Sequence, residues 1–344
     1  MSHPGADRAA GRPRAWLRHT AVAAAGILLC GLAACSDTES PPAASAEESA
    51  ASAFPVSIEH KFGSTTIESE PKRVLTVGWN DQDFALALGV TPVSTREWFE
   101  DYPTYPWVST ALAGRKLPTF SAELNFEAIV KEQPDLILAI YETVTQETYD
   151  RLSQIAPTIV QSKKYADEQT PWDVQTLTTG KALGRSAQAQ ELVDRVNAKV
   201  DEAKRAHPEF AGKVLVADFG PEKGTHWLLA ANDPRRALFD ALGFAAQEEK
   251  DEVSEERVDL LDRDVLFVNG ATRETMLASP VFAKLDVVTA DRTLYTSFDT
   301  PLAGALAYSG PNALLYALEI LVPQLAAAAD NDPATKVADL STMS

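Results

Sequence analysis

Short apolar runs of strand length alternate with helix-length segments along most of this chain, and the alternation breaks once, at a long charged helix. Strand-like runs fall at 73–77, 91–95, 135–140 and 158–161, with helix-like segments at 81–88, 125–132, 146–155 and 172–183 between and after them. The segment 186–210, "SAQAQELVDRVNAKVDEAKRAHPEF", then places Leu192, Val193, Val196 and Val200 at helical spacing, with Pro208 as a stop. A second block follows, with strands at 214–217, 227–229, 265–268 and 293–296 and helices at 234–242, 255–261, 272–277 and 312–324. Strands alternating with helices predict parallel sheets covered by helices. The expected fold class is α/β: two Rossmann-like lobes joined by one long backbone helix.

The limits of these units follow. A small hairpin around Gly63, with arms at 56–60 and 64–67, opens the body. The N-terminal lobe is expected over 56–183, the interlobe helix over 184–210 and the C-terminal lobe over 211–328. The last stretch, 329–344, is expected as a flexible tail. An internal echo supports two lobes of one plan. "LNFEAIVKEQPDLILAI" and "VSEERVDLLDRDVLFVNG" each set a Glu near a helix start eight residues before an Asp that opens a strand: Glu127 to Asp135, and Glu256 to Asp264.

The first 34 residues read as a processing signal. Arg8, Arg12, Arg14 and Arg18 precede a short apolar run, Thr20 to Leu29, and then "GLAAC". A Cys directly after Leu-Ala-Ala resembles a bacterial lipobox, which implies cleavage before Cys35 and lipidation of its thiol. Cys30 would leave with the signal, so no disulfide framework, zinc cluster or thiol catalyst is expected. Residues 36–55, rich in Ala, Ser, Glu and Pro, read as a disordered tether reaching on the order of 25 Å. The signal holds four Arg and one Asp, so its loss takes the formal charge from −18 to −21. Such a chain repels nucleic acid and anionic headgroups, leaving the lipid to hold it at the extracytoplasmic face of the membrane.

Catalytic signatures are missing. "TTGKALG" lacks the upstream Gly and the Ser or Thr of a P-loop, and neither a G-x-G-x-x-G nor a G-x-S-x-G occurs. His60, His207 and His226 are scattered rather than set at metal-ligand spacing. The densest polar cluster is Trp79-Asn80-Asp81-Gln82-Asp83, directly after the strand at 73–77. It could be a metal site, a catalytic site, a ligand mouth or a helix cap made by Asn80 or Asp81.

The lipobox, "KFGSTTIESEPKRVLTVGWNDQDFALALGVTPV", "LNFEAIVKEQPDLILAIY", the long helix, "DPRRALFDALGF" and the last helix come in an order that resembles the iron–siderophore substrate-binding lipoproteins of ABC importers. The resemblance covers Val56 to about Gln324. It implies a ligand cleft between the lobes, limited closure, and no catalysis. It also implies a membrane permease and its ATPase as partners, with no cofactor beyond a ferric siderophore as cargo and a monomeric binding protein. Glu127 and Glu256 match the family's permease-docking positions. They would also serve as ordinary carboxylates at helix starts. Haem or a corrinoid as cargo, or an envelope enzyme on the same fold, are the alternatives.

A chelated iron needs aromatic walls and hydrogen-bond donors rather than protein ligands. In α/β lobes such groups sit just past strand carboxyl ends. The expected cargo residues are Trp79, Asn80, Asp81, Arg96, Trp98 (with Phe99) and Tyr141 in the first lobe. In the second they are Trp227, Arg273, Phe298 and Tyr308. Competing roles are core packing for Trp98, Phe99 and Tyr308, and ion pairing for Arg96. Arg235 and Arg236 are expected to decorate a helix start.

Overall fold

The computed structural model describes residues 53–97, 100–221, 223–231, 233–249, 251–332 and 334–343. The expected signal, Cys35, most of the tether, Trp98 and Phe99 lie outside the described residues. The body opens with an antiparallel hairpin, β1 (Val56–His60) and β2 (Gly63–Ile67). Ile58 and Ile67 turn inward from it onto the first lobe.

That lobe runs β3 (Val74–Thr76), α1 (Asp81–Ala87), β4 (Ser94–Arg96), α2 (Pro106–Leu112), β5 (Thr119–Phe120), α3 (Phe126–Lys131), β6 (Leu136–Ala139), α4 (Gln146–Ser153), β7 (Thr158–Val160) and α5 (Trp172–Ala182). Its five strands are parallel in the order β5-β4-β3-β6-β7. Both faces are covered, which is why its strands read as unbroken apolar runs. Along β6 the two-residue period sends Leu136 and Leu138 into one core, and Ile137 and Ala139 into another.

The long helix is α6 (Ser186–Ala206). Its apolar stripe serves two cores in turn: Ala189 and Leu192 pack in the first lobe, and Val196, Val200 and Ala203 in the second. At 1.5 Å per residue it reaches roughly 30 Å. A helix held along its length in this way resists bending as a hinge.

The second lobe runs β8 (Val214–Asp218), β9 (Thr225–Leu228), α7 (Ala237–Leu242), β10 (Ala245–Ala246), β11 (Asp251–Ser254), β12 (Val265–Asn269), α8 (Arg273–Leu277), α9 (Asp286–Thr289), β13 (Thr293–Thr296), α10 (Pro301–Tyr308) and α11 (Pro311–Ala329). Its sheet is ordered β11-β9-β8-β12-β13, with β10 on the start of β8. The β8, β12, β13 and β10 pairings are parallel, whereas β9 and β11 form an antiparallel edge.

The echo in the sequence has a shared structural role. Asp135 accepts from the backbone N–H groups of Lys72 and Arg73, each at 2.8 Å, where β3 begins. Asp264 accepts from Val214 N at 2.8 Å, where β8 begins. Each Asp thus registers the start of its lobe's second central strand on the first.

Two expectations about the C-terminus need correction. The last helix continues through Pro323 to Ala329, because Leu325, Ala328 and Ala329 are buried and outweigh the lost hydrogen bond. The segment expected as a flexible tail folds back. Val337 and Leu340 are buried, Val337 N donates to Asp291 Oδ2 at 3.2 Å, and Ala338 N donates to Gln324 Oε1 at 2.7 Å.

Candidate functional site

The strand order puts β3 beside β6 where the winding direction reverses, and crevices open outside the carboxyl ends of strands at such a point. The chain leaving β3 is Val77-Gly78-Trp79-Asn80, and the chain leaving β6 is Ile140-Tyr141-Glu142. Trp79 N donates to the Tyr141 carbonyl at 3.0 Å, so the two ends are tied together.

Asp81 holds them from behind. It is fully buried and accepts from Gly78 N at 3.1 Å, Ile140 N at 2.9 Å, Tyr141 N at 3.3 Å and Gln175 Nε2 at 3.0 Å. Burial pushes its carboxyl up to about 6, against the pull of those donors. The expectation that Asp81 faces cargo is therefore wrong: its oxygens are consumed inside the turn. Nor does Asn80 cap α1 through its side chain. Its Nδ2 donates to the Tyr308 carbonyl at 2.9 Å, and its Oδ1 accepts from Gln175 at 2.6 Å. Partners from the far end of the chain outcompete the local cap.

Asp83 makes a second long-range tie. Tyr102 Oη and Trp107 Nε1 donate to its Oδ1 at 2.7 and 2.8 Å, and the backbone N–H of Gly310 donates as well. Burial pushes this carboxyl up to about 6. Gly310 is required here, since a Cβ would lie 2.1 Å from Asp83 Oδ2. The carboxylate sits at the start of α11, where the helix dipole favours it.

Above this frame lies an aromatic floor. Trp79 is half-buried and stacks on Tyr308 with centroids 6.0 Å apart, and Tyr308 lies 4.3 Å from Tyr102. Tyr308 itself is 1% exposed, so it supports Trp79 from below. A cavity of about 140 Å³ opens beside them, lined by Gln82, Arg96, Glu97, Glu100, Tyr102 and Tyr308 among others. Arg96 is already engaged: Nη1 meets Glu142 Oε2 at 2.7 Å and Nε donates to the Ala122 carbonyl at 2.9 Å. Its guanidinium joins the loops after β5 and β6 rather than standing open to cargo.

The second lobe answers with Phe219, which directly follows β8, and Phe298, which follows β13. Their centroids are 6.1 Å apart and Phe298 is 54% exposed. The Arg235 guanidinium lies 5.4 Å from the Phe219 ring and forks onto Asp233, with Nε–Oδ1 at 3.0 Å and Nη2–Oδ2 at 2.8 Å. A narrow crevice is lined by Asn80, Tyr141, Trp172 and Gln175 from one lobe and by Pro234 and Arg235 from the other. Sequence reasoning missed Phe219, Arg235 and Glu142. The strand-end rule that selected Tyr141 selects Phe219 equally. Arg235 follows no such rule. Arg236 is fully buried against Asp240 and Gln247 and is part of the fold. Trp227 lies inside β9, beside Phe219, whose N–H donates to the Trp227 carbonyl at 2.8 Å. Arg273 opens α8 and is exposed. A larger hollow of about 350 Å³, around Glu59, Lys61, Ser162 and Lys164, lies at the hairpin and not at these strand ends.

Glu127 and Glu256 are both exposed and both sit in the first turn of a short helix, α3 and the 3-10 helix Glu255–Leu261. Beside Glu256, His226 Nδ1 meets Asp218 Oδ2 at 2.7 Å and Nε2 faces Glu255 Oε1 at 3.6 Å. Burial pulls His226 down, but the Asp218 and Glu255 carboxylates outweigh it and its pKa is raised. The buried His226–Asp218 pair, with Glu255 at the surface, connects the end of β8, next to Phe219, to the turn that carries Glu256.

Comparison with known proteins gives a consistent set of relatives. The family described as "Periplasmic binding protein" matches residues 76–299. The "Probable siderophore-binding lipoprotein YfiY" of Bacillus subtilis is 26% identical over 252 residues, covering 69% of this chain and 74% of that protein. A periplasmic solute binding protein from Mycobacterium smegmatis is 31% identical, with a TM-score of 0.73, over 79% of this chain and 97% of that one. The PiaA protein of Streptococcus pneumoniae, solved in complex with ferrichrome, is 28% identical, with a TM-score of 0.69, over 80% of this chain and 99% of that one.

Proposed function

The chain belongs to the periplasmic binding protein family, and we propose that it captures a ferric siderophore outside the cytoplasm and delivers it to the permease of an ABC importer. The observation that carries this reading is the likeness, over nearly the whole length of the relative, to a binding protein solved with ferrichrome. The geometry is compatible with it. Trp79 and Tyr141 on one lobe, and Phe219, Phe298 and Arg235 on the other, give the ring walls and donors that suit a chelated metal. The siderophore supplies the ligands of iron, so the protein acts by binding and release, without catalysis. Trp79, Tyr141, Trp227, Arg273 and Phe298 remain the proposed cargo residues, with Trp98 and Phe99 proposed beside them, and Asn80 holds the turn that carries Trp79.

Cys35 carries the lipid that anchors the protein to the extracytoplasmic face of the membrane. Glu127 and Glu256 dock on the permease, one from each lobe, and its ATPase drives transport. The protein works as a monomer. Titrating the purified protein with coloured ferric siderophores, while following tryptophan fluorescence, tests the cargo. Quenching that saturates at sub-micromolar concentration is the expected result. Absence of quenching by hydroxamate, catecholate and citrate complexes alike would overturn the reading.

A further inference from the structure

Arg96, in the cavity beside Tyr308, and Arg235, in the narrow crevice, are each ion-paired within their own lobe. Arg96 Nη1 lies 2.7 Å from Glu142 Oε2, and Arg235 forks onto Asp233 at 3.0 and 2.8 Å. Further carboxylates surround them. Glu97 and Glu100 line the cavity with Arg96. Glu168, which accepts from Thr143 Oγ1 at 3.0 Å, lies in the electrostatic neighbourhood of Glu142, Tyr141 and Arg235. Asp299 follows Phe298, and with Asp101 it acts electrostatically on Tyr105, so acid stands on both lobes at this edge. Among the described residues near the second lobe's strand ends, Lys223 and Arg273 are exposed cations, as is Arg235.

On the first-lobe side, an anionic ligand would have to draw Arg96 from Glu142 or accept the surplus acid of Glu97 and Glu100. Drawing the buried Arg96 from Glu142 strands a charge, and like charges brought together repel; the Arg235–Asp233 fork, exposed at Arg235, adds little to either barrier. Ferric siderophores differ in just this respect. Three hydroxamates balance the charge of the ferric ion, whereas three catecholates leave the complex strongly anionic, and so do citrate complexes. We propose, resting on the cargo reading above, that the buried Arg96–Glu142 pair and the acids beside it, Glu97, Glu100 and Asp299, select a neutral or cationic ferric tris-hydroxamate and reject anionic ferric complexes. Ring walls bind the uncharged shell of such a complex. A pendant ammonium gains from Glu97, Glu100 and Asp299.

The test is a four-ligand titration of the purified protein with ferrichrome, ferrioxamine B, ferric enterobactin and ferric citrate, followed by tryptophan fluorescence. The hydroxamates should bind more tightly than the anionic complexes by about tenfold or more. The gap should narrow as salt rises and screens the repulsion. An anionic complex that binds as tightly as ferrichrome overturns the selection rule and leaves the siderophore-binding reading standing. No binding by any of the four overturns both. The Glu97→Gln/Glu100→Gln variant should shift the ratio of ferric enterobactin to ferrioxamine B affinity by about fivefold or more toward the anion. A folded variant whose ratio does not move also overturns the rule.

Discussion

Asn80 Nδ2 donates to the Tyr308 carbonyl oxygen at 2.9 Å, joining two residues 228 positions apart. The bond ties the turn after β3 to the end of α10, and Asn80 Oδ1 accepts in turn from Gln175 Nε2 at 2.6 Å. All three residues are buried. Asn80→Ala leaves the buried Tyr308 carbonyl without this donor and removes one of the two bonds of the Gln175 amide, which keeps Asp81, at a cost of about 1–3 kcal/mol for a buried group left unmet. Thermal unfolding should show a clear loss for Asn80→Ala. Asn80→Asp should also lose stability, because its carboxylate would face the Tyr308 carbonyl and neighbour Asp81. A midpoint unchanged in both variants would remove this tie from the frame of the crevice.

Asp81 and Asp83 give the fold an acid-side signature. Burial pushes both carboxyls from 3.8 up to about 6. In the unfolded chain they titrate near 4, so between these values the folded state binds more protons. Their contribution is fully present below about pH 4 and is lost as pH rises through about 6. Stability should therefore increase by on the order of 1–3 kcal/mol as pH falls from about 7 to about 5. Chemical denaturation across that range measures it. Asp83→Asn should flatten the slope. A protein most stable at neutral pH, with the same slope in the variant, contradicts the assignment.

The docking proposal separates from the cargo proposal because Glu127 and Glu256 are exposed and absent from the crevice lining. Glu127→Ala/Glu256→Ala should leave siderophore affinity within about twofold, while uptake by cells that depend on this protein falls by tenfold or more, as expected for the loss of charge pairs at an interface. Collapse of cargo affinity with intact permease binding would show the assignment to be mistaken. His226→Gln probes the same edge, since His226 joins Asp218 at 2.7 Å to Glu255 at 3.6 Å. It should weaken permease association more than siderophore binding.

What the sequence made legible follows from range. Trp79 and Tyr141 are legible because they come just past strand-like runs, and the paired Glu–Asp spacings mark Asp135 and Asp264, whose bonds register neighbouring strands. Asp81 shows the limit of that logic. A polar residue at a strand end can face the crevice or knot the turn behind it, and only its donors, Gly78, Ile140 and Gln175, decide which. The Asp83–Gly310 and Asn80–Tyr308 ties join distant segments and leave no local pattern. Helix α10, "PLAGALAY", was not anticipated because it is buried on nearly all sides and so carries no amphipathic period. The fold-back of Val337 and Leu340 was hidden in the same way, by a tail whose composition alone reads as unstructured.

The two lobes also share a core, and this bears on how far they move. One apolar cluster runs from Leu86, Tyr102, Trp107 and Val108 of the first lobe to Leu302, Leu306, Leu314 and Leu318 of the second. Gly304 of α10 lets Tyr105 pack closely against that helix, since a Cβ there would sit 2.4 Å from the ring. Lobes in contact through a continuous apolar interface do not swing freely, and α6 feeds the cores of both. Cargo binding should therefore leave the radius of gyration unchanged to within about 1 Å, the scale of backbone shifts in preorganised complexes. Small-angle scattering with and without a saturating ferric siderophore measures this. Gly304→Leu should force Tyr105 outward, open the interface and lower the unfolding midpoint. A contraction of several ångströms in the unmodified protein would mean that the shared core parts and reseals during each cycle of capture.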